Sequence, residues 1–477
     1  MQFSVSQNKA KNNTAVVIGS SMAGLLSARV LADFFAQVIV IERDTLPQEP
    51  QTRKGVPQAN HVHVLLAQGY RILKQLFPGI DDELSEAGAP KIDWGKEYAL
   101  FGYWGWHPPI VSDLVTHTAS RAFLEWLVRR RLLNFGNIKF QEKTQVKGLL
   151  SNNQNSQITG VKLYDSDENK AEELVADLVV DASGRNSQMP NWLQSMGYQP
   201  PTKTEINSFL GYSTCWFECP QNLEADWKAV AILYKAPHHK HGGVILPVED
   251  NRWAVTLAGI AKDYPPNDNK GFLECARNLR DPAIYNAIKD AKPISKVHSY
   301  RRTENCWQHY ELTQLPEGLA IIGDAACAFN PIYGQGMTTA ALGALTLQEC
   351  LQKQFTNSQF QVEGLTKTFQ KQLAKVLETP WLMATSDDFR WETTEGGKPD
   401  KITKFMHKYM DEVLILSVHQ PRVYKVFSEV IHMLKKPAVL FAPGIVFGVL
   451  KQIISAKTNH HSQENFPNST KPMTNNF

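Results

Sequence analysis

The sequence predicts an α/β fold: a parallel-sheet domain interrupted by a mainly antiparallel β insertion and followed by a C-terminal helical region. Three observations carry this expectation. Near the N-terminus, Ala15-Val16-Val17-Ile18 reads as a short buried strand and Gly19-Ser20-Ser21-Met22-Ala23-Gly24 as a tight turn. Leu25 to Phe35 then reads as an amphipathic helix leading into a second strand, Gln37 to Ile41. Late in the chain, the apolar run Leu319 to Ile322 ends in Gly323-Asp324, and Asn330-Pro331 and Gly334-Gln335-Gly336-Met337-Thr338 open a helix. Between these motifs, alternation in Gly211 to Glu218, Val230 to Tyr234, Gly243 to Pro247 and Arg252 to Leu257 reads as antiparallel strands.

The first motif has the βαβ order of a Rossmann unit, with Glu42 (Arg43 beside it) 23 residues after Gly19. Gly19 and Gly24 permit the tight turn and the close approach of helix to strand. Ser21 stands where a middle glycine is expected and is small enough to admit a pyrophosphate. The Glu42 carboxylate is suited to accept from adenosine ribose hydroxyls and disfavours a 2′-phosphate, so the ligand is FAD or NAD rather than NADP. The late motif narrows this. Asp324, leaving its strand, can accept from ribityl or ribose hydroxyls. The Gly334-Gln335-Gly336 turn lets backbone approach a flat ring, and the helix beginning there aims N–H groups and partial positive charge at it. A reduced flavin needs all three, and FAD spans from an N-terminal βαβ unit to a motif so distant in sequence. Another buried strand, Asp177 to Asp181, ends in Asp181-Ala182-Ser183-Gly184-Arg185. No second Gly-x-Gly-x-x-Gly marks a separate NAD(P)H domain.

The chain has 477 residues, 43% hydrophobic and 20% charged, as in ordinary globular proteins of two or three domains. A net charge of +3 implies no nucleic-acid partner. Met1 to Asn13 is polar and unlike a signal peptide. Six cysteines form no disulfide framework, so a reducing cytoplasm is expected. No apolar run is long enough to span a bilayer; residues 437–450, broken by Pro443 and Gly444, are suited at most to peripheral membrane contact. No metal is expected: His238-His239-Lys240-His241 lacks carboxylates at suitable spacing. Trp104-Gly105-Trp106-His107-Pro108-Pro109 resembles the Trp-x-Trp-x-Ile-Pro signature of flavin-dependent halogenases but comes far too early, with Pro108 for isoleucine, so its aromatics are read as lining a pocket or packing a sheet. Cys327 is read as a packed small residue.

Taken together, the three motifs resemble those of flavin-dependent monooxygenases of the para-hydroxybenzoate hydroxylase type, over residues 13–355. Asn330-Pro331 and Gly336-Met337-Thr338 are most similar to the branch holding squalene epoxidase and the bacterial polyene epoxidases. The resemblance implies a glutathione-reductase-type FAD fold. It implies that Arg53, in Arg53-Lys54-Gly55-Val56, reaches the FAD pyrophosphate, and that Arg121, in Ser120-Arg121-Ala122-Phe123-Leu124-Glu125, contacts FAD. Val146, on the third strand, would contact adenine through its backbone, Asp324 would meet the ribityl–pyrophosphate region, and Gly334, Gly336 and Met337 would border the ring. His61 and His63, at the start of a helix expected over Val62 to Leu73, are candidate catalytic or flavin-tuning residues. There are two departures: Ser21 replaces a glycine, and the Asp-x-x-Gly-Arg run replaces the usual Asp-Gly pair, which weakens any claim of nicotinamide binding at Asp181.

The activity so implied has NAD(P)H reducing FAD transiently and O2 adding at C4a to give a hydroperoxide that oxidises a small apolar substrate. Epoxidation of an alkene in a terpenoid, polyketide or lipid is preferred, because no base to ionise a phenol is recognisable. Aromatic hydroxylation, a reductase or dehydrogenase like the geranylgeranyl reductases, and a non-catalytic prenyl-binding protein on the same fold are the alternatives. The expected organisation is a discontinuous FAD domain (13–85, 116–188 and 306–352), a substrate-binding β-sheet domain (86–115 and 189–305), C-terminal helices (353–457) and disordered tails (1–12 and 458–477). The expected location is cytoplasmic, or peripheral to a membrane, and the oligomeric state is open.

Overall fold

A computed structural model of the chain describes residues 10–221, 225–356 and 359–459. The expected tails lie almost wholly outside these residues; of them only 10–12, which begin a strand, and 458–459, which end a helix, are described. Strand β1 (Ala10–Ile18), helix α1 (Met22–Leu31) and strand β2 (Phe35–Ile41) form the βαβ unit. Helices α2 (Ala67–Leu76) and α3 (Arg121–Leu132) follow, then β3 (Ile138–Gln141), β4 (Leu178–Asp181), β5 (Leu319–Ile321) and helix α4 (Gly336–Gln354). The five strands form one parallel sheet in the order β5-β4-β1-β2-β3. Their continuous apolar runs are buried on both faces, as parallel strands covered by helices require: Ala15, Val16, Val17, Leu178, Val179, Leu319 and Ala320 are all fully buried. This order brings the carboxyl ends of β1, β2, β4 and β5, and so Gly19, Glu42, Asp181 and Gly323, to one edge of the sheet, where ligands of open α/β folds bind.

Two expectations are corrected here. Val146 is not on a strand of the parallel sheet: it lies on Thr144–Ser151, in a separate three-stranded antiparallel sheet with Ile158–Asp165 and Lys170–Val175. Helix α2 begins at Ala67 rather than Val62. Pro57–Asn60 is a single 3-10 turn, and residues 61–66 run extended because the sheet behind them holds them: His61 bonds Thr214, and the Val62 N–H donates to the Thr256 hydroxyl at 3.3 Å.

The insertion is a seven-stranded sheet, in the order His298–Tyr300, Gly211–Glu218, Arg252–Gly259, His241–Val248, Ala229–Ile232, Tyr98–Gly102 and Gly105–Trp106. Only the pairing of Ala229–Ile232 with Tyr98–Gly102 is parallel. The strands' period of two sorts the sheet's faces. Val230, Ile232, Ile245, Val255 and Leu257 pack under the helices Asn269–Arg277 and Ala283–Ile288, while Ala231, Val244, Thr256 and Ala258 line a cavity on the other side. Three C-terminal helices cap that cavity, α5 (Leu365–Asp388, with Pro380 inside it), α6 (Lys401–His419) and α7 (Pro421–Ile431), and a fourth, α8 (Pro443–Asn459), packs against α6. Among the described residues no helix is long and apolar enough to cross a membrane.

Candidate functional site

One cavity of about 1040 Å3 runs from the start of α1, past the ends of β4 and β5 and the start of α4, into a chamber between the seven-stranded sheet and the C-terminal helices. Of the residues singled out in the sequence, Ser21, Arg43, His61, His63, Arg121, Asp324, Gly334, Gly336 and Met337 line it. Gly19, Gly24, Glu42, Arg53 and Val146 do not.

The two glycines of the first turn act on the scaffold. Gly19 has φ +98°, and a Cβ there would lie 2.8 Å from the Ala182 carbonyl oxygen; a Cβ on Gly24 would lie 1.9 Å from the Gly19 oxygen. Ser21 is not a weakened glycine. Its hydroxyl accepts from Arg121 at 2.6 Å and donates to Glu125 at 2.9 Å, which fixes a guanidinium beside the N-terminus of α1. Glu125 also takes Arg53, at 2.9 Å, so Arg53 is held behind the wall among Glu42 (2.9 Å), Asp44 (3.2 Å) and Glu125. Arg53 is thus committed to carboxylates, whereas Arg121 and the exposed Arg43 line the cavity. Burial pulls the Arg121 pKa down and Glu125 opposes this, which leaves Arg121 a buried cation facing the cavity.

Glu42 is buried, and although burial raises its pKa, the Arg53 charge and hydrogen bonds hold the carboxyl below its usual range. Oε2 accepts from the Ser20 N–H (3.0 Å) and hydroxyl (2.7 Å), and Oε1 from the Asp44 N–H (3.0 Å). A carboxylate has about four lone-pair sites, so Oε1 retains capacity for one further donor such as a ribose hydroxyl. Asp324 is far less committed: its side chain is 39% exposed, and its ion pair with Arg185 is long, at 3.8 Å. Asp181, by contrast, is fully buried and accepts from Ser183 and Ser187, organising its own turn rather than facing a ligand.

The start of α4 fits a flavin. Gly336 lines the cavity, and a Cβ there would meet no protein atom within 4 Å, so protein packing does not call for glycine. Gln335, between the glycines, lines the cavity, is 1% exposed, and has both polar atoms of its amide unpaired. Buried polar atoms without partners are costly in a finished structure, and a heteroaromatic ligand with donors and acceptors on its rim supplies what they lack. The sequence reading missed Gln335, although its place in Gly-Gln-Gly was a signal.

His61 and His63 lie in the extended segment before α2. His61 Nδ1 pairs with the Thr214 hydroxyl at 2.8 Å and its ring meets Tyr212 edge-on; burial lowers its pKa to about 3. His63 Nδ1 pairs with the His61 carbonyl at 2.9 Å, and burial, aided by Arg121, lowers its pKa to about 4. Both are neutral near pH 7. Trp104 sits under the Lys235 ammonium, and Trp106 packs on Phe101 and donates to Asp281, so these tryptophans pack the sheet edge; only His107, stacked on Tyr424, reaches the cavity. Cys327 is buried, and its thiol is held well above the usual range by that burial.

A clamp unseen in the sequence holds the late motif. Asp388, the last residue of α5, accepts from Asn330 (2.8 Å), Asn305 (2.6 Å) and Ser208 (2.7 Å). Burial raises its pKa to about 7.

A family model described as "FAD binding domain" matches residues 12–361. Protein Rv3254 of Mycobacterium tuberculosis is 33% identical over 385 residues, 78% of this chain and 80% of its own. Among solved structures, a flavoprotein/dehydrogenase from Cytophaga hutchinsonii superposes with a TM-score of 0.64 at 14% identity, covering 94% of this chain and 100% of its own. The flavin-dependent brominase Bmp2 gives 0.63 at 15% identity, with 93% and 99% covered. The tetrameric form of 2-methyl-3-hydroxypyridine-5-carboxylic acid oxygenase gives 0.55 at 17%, with 79% and 90% covered. At these identities the structural similarity speaks for the fold alone.

Proposed function

This chain belongs to the FAD binding domain family, and from that premise we propose that it is an FAD-dependent monooxygenase of a largely apolar substrate, its reaction the epoxidation of an alkene in a terpenoid, polyketide or lipid. The observation that carries this reading is the single cavity, which joins a dinucleotide cradle to an apolar chamber without a wall between them. FAD, reduced by NAD(P)H, supplies the activation of O2 and the delivery of one oxygen atom. The chain's residues do the rest. The α1 N-terminus, Arg121 and Arg43 bind the pyrophosphate, Glu42 the adenosine ribose and Asp324 the ribityl chain. The N-terminus of α4 favours the negative charge that collects on a reduced ring. Met383, Met406, Met410, Leu414 and Phe427 line the chamber and keep water from the reacting end. Epoxidation asks no proton transfer of a side chain, which suits a site whose histidines are neutral.

Peripheral membrane contact belongs to the same reading. Leu382, Ile402 and Phe441 are exposed large apolar residues that also line the cavity, and Phe447 and Leu450 extend the exposed apolar surface along α8. A second reading, hydroxylation of an aromatic ring, is favoured by a tyrosine and carboxylate cluster at one end of the chamber. Substrate-dependent O2 consumption with oxygen-18 recovered in the product tests the monooxygenase reading, and product structure separates epoxide from phenol. Turnover under nitrogen, or product free of the label, sinks it in favour of a reductase.

A further inference from the structure

Three tyrosines from distant parts of the chain meet one carboxylate at the wall of the cavity. Tyr103 follows the strand Tyr98–Gly102, Tyr234 follows Ala229–Ile232, and Tyr333 directly precedes Gly334 at the flavin turn. The Tyr103 hydroxyl donates to Asp387 Oδ1 at 2.9 Å and the Tyr234 hydroxyl to Oδ2 at 2.6 Å, while Tyr333 bears on the same carboxylate. Arg390 Nε lies 3.3 Å from Asp387, and its Nη1 is 3.0 Å from Asp411. Tyr103, Tyr234, Tyr333, Asp387 and Arg390 all line the cavity. Burial first, and the Asp387 charge second, hold all three phenols well above their ordinary pKa, so they stay neutral.

A phenol has one proton to give. Tyr103 and Tyr234 have given theirs to Asp387, so only lone pairs remain on those oxygens. Arg390 has turned its charge on two carboxylates. The Tyr103 and Tyr234 oxygens thus offer acceptors, and the donors left in the cluster are N–H groups of Arg390, whose charge two carboxylates already meet. Resting on the monooxygenase reading, we propose that this cluster is a subsite for a hydroxyl group, so that the substrate is an apolar molecule carrying an alcohol or phenol. Its O–H donates to a tyrosine oxygen, which anchors that end of the molecule beside the Gly334-Gln335-Gly336 turn. An ether oxygen in the same place meets lone pair with lone pair and leaves the phenol oxygens unsatisfied.

The test uses the full-length, FAD-loaded protein and a matched pair of probes, farnesol and farnesyl methyl ether, titrated while the flavin absorbance bands are followed. The alcohol should bind about tenfold more tightly, the worth of one hydrogen bond to a desolvated acceptor. Tyr103→Phe and Tyr234→Phe should each shrink that preference. Asp387→Asn should shift it toward the ether, because an amide accepts from one tyrosine and donates to the other, turning a phenol proton outward. A merely structural role would weaken both probes together. Equal binding of the probes by the unmutated protein, binding of neither, or a preference that survives in all three variants overturns the proposal. Protein that holds no FAD sinks the monooxygenase reading and this subsite with it; protein that holds FAD and consumes O2 with substrate, yet fails the probe comparison, sinks the subsite alone.

Discussion

Replacing Asp324 by alanine separates cofactor binding from folding. Its side chain is 39% exposed, and its ion-pair partner, Arg185, is 3.8 Å away. An ion pair so long and so wet contributes at most about 1 kcal/mol to stability, with a median nearer zero. Apo-protein carrying Asp324→Ala should therefore unfold within about 0.5 kcal/mol of the parent. In the holoprotein the same carboxylate accepts from a ligand hydroxyl, and hydrogen bonds to a charged group are worth about 1.5–3 kcal/mol, so FAD affinity should fall roughly 10- to 150-fold. Denaturant melts of the two apo-proteins measure the first quantity. Reconstitution titrations, with flavin absorbance per chain after gel filtration, measure the second. An unchanged FAD dissociation constant refutes the reasoning; an apo-protein destabilised as much as FAD binding is weakened would make Asp324 a structural residue instead.

Other outcomes follow from the same geometry. Glu125→Gln should destabilise the apo-protein by about 3–5 kcal/mol, because Arg53 and Arg121 lose a buried counter-charge, and added FAD should restore part of the loss through its pyrophosphate; thermal melts with and without FAD check both halves. Gly336→Ala should leave apo stability intact, since its Cβ meets nothing, yet weaken FAD, whereas Gly24→Ala, with its Cβ 1.9 Å from the Gly19 oxygen, should damage folding itself; soluble yield and flavin titration separate them. His432 is buried, accepts the Ala67 N–H at 3.1 Å and has its pKa lowered by burial from 6.5 to about 4. A depressed histidine favours the fold fully above pH 6.5, and that stability drains away as pH falls toward 4, by up to about 3 kcal/mol. His432→Asn should flatten the decline, as denaturant midpoints at pH 7 and pH 4.5 would reveal.

What the sequence displayed was local. Gly19, Gly24, Glu42, Asp324 and the Gly334-Gln335-Gly336 turn sit at fixed offsets from apolar strands, so their placement follows from the strand ends alone. What it hid depends on partners far away in the chain. Arg53 looks like a pyrophosphate ligand until Glu42, Asp44 and Glu125 surround it, and Ser21 looks like a missing glycine until Arg121 comes to it from 100 residues further on. The Val62–Leu73 pattern is helical by periodicity, yet α2 starts only at Ala67, because the segment before it bonds to the inserted sheet. Tyr103 and Tyr234, each just beyond a strand, carry no motif, and Tyr333 lies in the late motif with nothing to mark its partner; only the closure of the C-terminal helices over the sheet gathers them.

The Asp388 clamp bears on when the chain becomes a flavoprotein. Asn330, which sets the turn leading to Gly334-Gln335-Gly336, takes its partner from the last residue of α5, so during synthesis the flavin turn lacks its brace until residue 388 has left the ribosome. The βαβ unit at the other end of the site has by then long been available to fold. Cofactor capture is thus expected to be late: chains stopped before Asp388 should retain FAD poorly, as flavin absorbance after gel filtration would show.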